Sequence, residues 1–164
     1  MIRGLLITSP LGLLTVTEED GALTGLFMEK QKYFPKDLPQ VWEKTAVLAQ
    51  AEDWLARYFA GERTGNPAFP LHPKGSQFQK QVWELLRRIP YGQTTTYAAI
   101  AAQIARSRGV PRMSAQAVGS AVGHNPISIL IPCHRVLGSD GRLTGYAGGL
   151  ERKQWLLEWE RDRR

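Results

Sequence analysis

A chain of 164 residues with a net charge of +6, one cysteine and three histidines suits one domain or two small ones. A single thiol excludes an internal disulfide, a Cys-x-x-Cys redox pair and a cysteine-rich zinc site, and His72, His124 and His134 lack metal-ligand spacing, so neither a metal nor a cofactor is expected. No apolar run reaches the roughly 20 residues of a bilayer span, and the N-terminal MIRGLLITSPLG lacks the apolar segment and cleavage site of a secretory signal; a cytoplasmic protein with no membrane partner is the expectation.

The first 30 residues read as an antiparallel meander. RGLLITS and GLLTVTE are strand-like and split by the turn SPLG, and the turn EEDG leads into LTGLFME. Residues 31–39 are polar, hold two prolines and read as loop. From Gln40 to Phe59 the pattern is helical: Val47, Ala51, Trp54, Leu55, Tyr58 and Phe59 share one stripe, and Gly61 stops it. NPAFPLHPKG (66–75) reads as an inter-domain linker.

The second half opens on a capping box, Ser76 with Gln79, and a buried stripe of Phe78, Val82, Leu85, Leu86 and Ile89. PYG (90–92) ends that helix. TTTYAAIAAQIA is a second helix capped by a threonine, RSRGVPR is a basic loop, and SAQAVGSAVGHN is a third helix with Ser114 as N-cap, closed by Asn125-Pro126. The apolar run Ile127–Ile131 then reads as a buried strand ended by Pro132. Asp140-Gly141 is a turn, GYAGG (145–149) a loop, and LERKQWLLEWE a last helix.

Charge divides the chain the same way. Residues 1–73 carry 7 Lys+Arg against 9 Asp+Glu, and residues 74–164 carry 14 against 6. A basic half beside an acidic one points to a polyanion partner, although a charge spread for solubility gives the same count. The two small-residue helices joined by a basic connector resemble a helix-turn-helix, but the connector is about twice the usual length, and close helical packing is the simpler reading of the pattern by itself. The second of these helices has no Arg or Lys, which suits the shallow minor groove better than the major.

The lone cysteine lies in ISILIPCHRV, at the end of the expected strand. Free cysteines usually just pack. His134 and Arg135 beside Cys133 change the reading, because a base or a positive charge raises the thiolate fraction of a thiol. Consecutive strand residues face opposite ways, so contact between Cys133 and His134 requires an irregular turn or a bridging water. A carboxylate is also needed to hold the histidine tautomer, and Glu151, Glu158 and Glu160 are the candidates.

IPCHRV preceded by NP and followed by GYAGGLERKQWLL, together with SQFQKQVWELLRRIPYGQTTTYAAIA and SAQAVGSAVGHNPISILIPCHRVLGSDGRLTGYAGGL, resembles the O6-alkylguanine-DNA alkyltransferase family over nearly all of residues 76–160. Residues 1–70 are similar only in layout. The resemblance implies an α+β protein. Residues 1–72 would be a small supporting domain of ribonuclease H-like sheet and helix. Residues 73–164 would be a mostly helical DNA-binding and alkyl-acceptor domain with a winged helix-turn-helix-like motif.

It also implies a mechanism. A monomer binds double-stranded DNA through the minor groove, turns out an O6-alkylguanine (or O4-alkylthymine), and takes the alkyl group onto Cys133 once and irreversibly. By the same resemblance His134 is the water-bridged base and Glu160 its orienting carboxylate, which selects one of the three candidates. Asn125 is a hinge, Tyr97 turns a phosphate and gives a proton to the leaving guanine, and Val136, Tyr146 and Ala147 surround the base. Gln116, Ser114 and Arg135 complete the set expected to meet DNA.

Two departures from the family pattern stand out. Gln116 replaces the arginine that fills the gap left by the base in well-known members, so either base flipping is weaker or Arg112 or Arg108 supports it. Ala147 replaces a serine, which removes a hydrogen bond to guanine O6. The zinc ligands of some N-terminal domains are missing as well. A turnover Cys-His hydrolase and a non-catalytic DNA binder are the competing classes. The first would need an oxyanion hole, and the second has no use for Cys133.

Overall fold

The structure, a computed structural model, describes residues 1–163. The meander forms as its turns dictate: β1 (Arg3–Ser9), β2 (Gly12–Glu19) and β3 (Ala22–Met28) pair antiparallel. Gly12 and Gly21 take the positive φ angles that these tight turns require. A short β4 (Val41–Trp42) adds to β1 in parallel, giving the sheet order β3-β2-β1-β4.

Helix α1 (Ala46–Phe59) lies on this sheet through Val47, Leu48, Ala51, Trp54, Leu55 and Tyr58. The helix expected from Gln40 begins six residues later. Val41 and Trp42 are taken by the sheet edge, and the Thr45 hydroxyl accepts from the Leu48 N–H to start the first turn.

In the second half α2 (Gln77–Leu86) carries the expected capping box. The stripe is corrected at Trp83, which is buried and donates its indole N–H to the Ala121 carbonyl at 2.8 Å. A two-residue β5 (Thr95–Thr96) leads into α3 (Tyr97–Arg108), capped by Thr96. Ser114 caps α4 (Ala115–Gly123). Helices α2, α3 and α4 pack on one another, β5 pairs in parallel with β6 (Val136–Leu137), and α5 (Leu150–Arg161) closes the chain.

The stretch read as a linker is tied down. The Leu23 N–H donates to the Pro70 carbonyl and the His72 N–H to the Leu23 carbonyl. Farther along the same edge of β3, the Leu26 N–H donates to the Pro126 carbonyl and the Ser128 N–H to the Leu26 carbonyl. An exposed strand edge left unpaired is an aggregation hazard; here residues 70–72 and 126–128 cover it. One apolar core runs through both halves, from Leu14 and Leu26 to Ile131 and Leu156. No helix is long and apolar enough to cross a membrane among the described residues.

Candidate active site

The run Ile127–Ile131 is not a strand. It makes a single bridge, Leu26 with Ile127, and then folds back with Ile129 at φ 70°. Asn125 causes this. Its side-chain oxygen accepts from the Ile127 N–H at 3.0 Å, and its amide donates to the Ile131 carbonyl at 2.8 Å. A strand and a buried turn both present apolar residues throughout, so composition did not separate them.

Pro132 leads into one 3-10 turn, Cys133–Arg135, anchored by the Cys133 N–H on the Ile131 carbonyl. With three residues per turn, the three side chains diverge by a third of a circle each. Cys133 and His134 are therefore not forced to opposite faces, as a strand would require.

All three side chains are buried, and two of them meet Glu160 of α5. His134 Nε2 lies 2.7 Å from Glu160 Oε2. Arg135 donates from Nε to Oε1 at 2.7 Å and from Nη2 to Oε2 at 3.0 Å. Tyr58 of α1 donates its hydroxyl to Oε2 at 2.7 Å, and the Gly92 N–H donates to Oε1 at 3.2 Å. Burial alone would raise the carboxyl pKa, but the hydrogen bonds from His134 and Arg135, together with the Arg135 charge, outweigh it and hold the group well below the ordinary range. Glu160 is therefore an ionised acceptor, and the histidine proton sits on Nε2.

Burial lowers the pKa of His134, with Glu160 opposing. The imidazole is thus neutral near pH 7 and bares the lone pair of Nδ1. That nitrogen is buried and has no hydrogen-bond partner among the described residues. Burial raises the pKa of the Cys133 thiol, while the Asn125 amide and the Lys153 ammonium favour its ionised form. The resting state is a thiol beside an unprotonated base.

Lys153 is fully buried and donates to the Thr144 carbonyl at 2.7 Å and to the Tyr97 hydroxyl at 3.4 Å. Burial pulls its pKa down to about 8, with Cys133 opposing. The sequence reading missed it, although the signal was there: Lys153, Leu156 and Glu160 are spaced i, i+3, i+7 and are the buried positions of α5. Tyr58 belongs to the apolar stripe of α1, yet its hydroxyl reaches the second half of the chain.

Beside this network a groove of about 840 Å³ is lined by Tyr97, Gln116, Tyr146 and Ala147, which the resemblance singles out, and by Lys32, Tyr33 and His124, which it does not. The Lys32 N–H donates to the Ala147 carbonyl at 2.8 Å, and the Tyr33 ring stacks on His124 at 4.1 Å between centroids. Lys32 is the one lining residue with a full charge among the described residues.

Ser114 serves as the α4 cap and is exposed, outside the groove lining. Val136 is buried and pairs with Thr95 rather than lining the groove. Arg135, expected at the DNA surface, points inward. The ionised Glu160 claims its guanidinium, and Nη1 donates to the Ile89 carbonyl. No group of three or more His, Cys, Asp or Glu side chains is arranged to hold a metal ion among the described residues.

Comparison with known proteins agrees over the whole chain. Residues 77–162 match the family described as 6-O-methylguanine DNA methyltransferase, DNA binding domain, and residues 2–73 match its ribonuclease-like domain. A methylated-DNA--protein-cysteine methyltransferase of Mycolicibacterium paratuberculosis is 48% identical over 98% of this chain and 93% of its own.

Among solved structures, the O6-methylguanine methyltransferase of Mycobacterium tuberculosis is 44% identical. It covers 100% of this chain and 95% of its own at a TM-score of 0.86. A second structure of the Mycobacterium tuberculosis protein, in complex with DNA, is 42% identical and covers 98% of this chain and 94% of its own at a TM-score of 0.84. With both halves matched, and a lone Cys-His pair backed by a buried glutamate, the chain belongs to the 6-O-methylguanine DNA methyltransferase family.

Proposed function

We propose that the chain repairs duplex DNA by direct reversal, moving the alkyl group of O6-alkylguanine onto Cys133 in one irreversible step. The observation that carries this reading is a buried thiol adjacent in sequence to a neutral histidine whose tautomer is fixed by Glu160. The Cys133 proton passes toward His134 Nδ1 through a bridging water, since no hydrogen bond joins the two side chains among the described residues. The sulfur then attacks the alkyl carbon, an S–C bond forms, and the C–O6 bond breaks. The electron pair goes to guanine, which takes up a proton as it leaves.

Tyr97, with the Lys153 ammonium on its hydroxyl, is the group suited to give that proton. The charge of Lys153 also favours the thiolate formed midway. A thioether has no second thiol in this chain to resolve it, so each molecule acts once.

The partner is DNA bound along α3 and α4, with the damaged base turned into the groove beside Tyr146 and Ala147. Gln116 at the start of α4 is exposed and is the side chain suited to the orphaned base pair partner. The protein acts as a monomer on its DNA. Val136 is held in the β5–β6 pair, and Asn125 fixes the turn that carries the thiol. Loss of lesion from a duplex containing O6-methylguanine should plateau at one per protein molecule, and Cys133→Ser should abolish it while leaving duplex binding intact. Lesion loss continuing past one equivalent would reject this function in favour of a turnover enzyme.

A further inference from the structure

A second cavity, of about 400 Å³, shares no lining residue with the groove. Arg63 and Thr64 reach it from the segment after α1, Arg87, Arg88 and Tyr91 from the end of α2, and Arg135 from the 3-10 turn. Four guanidinium groups line it and no Asp or Glu does. Glu160 matches Arg135, and Glu84 lies 3.7 Å from Arg87. Arg63 and Arg88 form no ion pair among the described residues. Like charges gathered in one cavity repel unless something of opposite sign shares the space.

A second observation points the same way. Three residues of this lining each carry a polar atom that is sealed from solvent and has no hydrogen-bond partner among the described residues: Thr64 Oγ1, Arg87 Nε and Tyr91 Oη. Thr64 and Tyr91 are only 8% and 7% exposed. Each such group costs roughly 1–3 kcal/mol when left unmet. Idle donors and unmatched cations together describe the complement of one object, a compact anion rich in acceptor oxygens. The cavity is also preorganised. The Tyr91 ring holds the Arg63 guanidinium at 5.5 Å and that of Arg135 at 5.7 Å.

We propose that this cavity binds a phosphate group through Arg63, Arg87 and Arg88, with small side-chain shifts bringing the Thr64 and Tyr91 hydroxyls into the shell. The phosphate is either free in solution or part of a DNA backbone. The cavity is also walled by Pro132 and Arg135, so its occupant lies beside the cation that holds Glu160.

Inorganic phosphate titrated by calorimetry, with ionic strength held by potassium chloride, tests the site. Saturable binding is expected, weakened roughly tenfold or more in the Arg63→Gln/Arg88→Gln double variant, since one charge-assisted hydrogen bond is worth about that factor. Tyr91→Phe should weaken it less, by about threefold, as a neutral hydroxyl contributes less. Alkyl transfer by the double variant verifies that it is folded.

If the occupant is a DNA backbone, free phosphate binds poorly, but the double variant lowers the salt slope of duplex binding by about two. Phosphate binding of equal strength in wild type and double variant overturns the proposal. So does an absence of saturable binding together with an unchanged salt slope.

Discussion

Replacing Glu160 by Gln tests the electrostatic core of the site. The carboxylate accepts five hydrogen bonds: one from His134, two from Arg135, one from Tyr58 and one from Gly92. Glutamine presents one acceptor oxygen and an amide that meets donors head-on, and it leaves the buried Arg135 without its counter-charge. Removing one partner of a buried ion pair costs roughly 3–5 kcal/mol. For a chain of this size each kcal/mol moves the melting temperature by about 2–4 °C, so a fall of about 10 °C is expected.

The histidine also loses the charge that holds its Nε2 proton. Positioned proton transfer contributes roughly 10²–10⁴ in rate, and the single-turnover transfer rate should drop by about a hundredfold or more. Calorimetry and quench-flow below the melting temperature read both effects. Glu158→Gln, on the exposed side of the same helix, should stay within about 0.5 kcal/mol of wild type. If Glu160→Gln melts within about 2 °C of wild type and keeps its rate within about threefold, the buried network has no catalytic or structural role, because both magnitudes above would be absent.

Lys153→Met should slow transfer by about tenfold or more, since it removes a buried cation that favours the Cys133 thiolate; an unchanged rate-versus-pH curve would remove Lys153 from the mechanism. His134 has a folded pKa below its ordinary 6.5, so the unfolded chain takes up the proton first. Its contribution is complete above pH 6.5 and is lost as pH falls toward the folded pKa, and Glu160, also depressed, adds a further loss below its ordinary 4.5. Urea midpoints between pH 8 and 4 should therefore fall on acidification, and midpoints that hold or rise below pH 6.5 would contradict the neutral histidine. Lys32→Gln should weaken duplex binding and reduce the slope of log affinity against log salt by about 0.9, the mark of one phosphate contact; an identical slope would mean that the groove takes DNA without its one charged side chain.

Local rules carried much of the fold. The meander, the capping box at Ser76 and Gln79, and the caps at Thr96 and Ser114 follow from short-range chemistry that a sequence displays directly. The start of α1 was misjudged because Val41 and Trp42 suit a helix stripe and a strand edge equally, and only pairing with β1 decides. Ile127–Ile131 is buried in either conformation, and the deciding Asn125 bonds join residues two and six positions apart.

The chemistry of Cys133 with His134 was legible from adjacency. The choice of Glu160 among three glutamates came from family resemblance. Its contacts with Tyr58, 102 residues away, and with Gly92 are long-range and have no local mark. Arg135 was misread because a basic residue next to a nucleophile in a basic domain suggests a DNA contact, whereas burial sets it on the carboxylate. Lys32 lies in a polar, proline-bearing segment that reads as loop, and its place at the groove depends on how the two halves dock.

The most direct measurement is the mass of the Cys133 peptide after the protein has met a duplex bearing one O6-methylguanine. The peptide should gain one CH2, in an amount equal to the lesion lost, with guanine restored in the DNA. An unmodified Cys133 thiol alongside a lesion that persists, or that vanishes without marking the protein, would contradict the account.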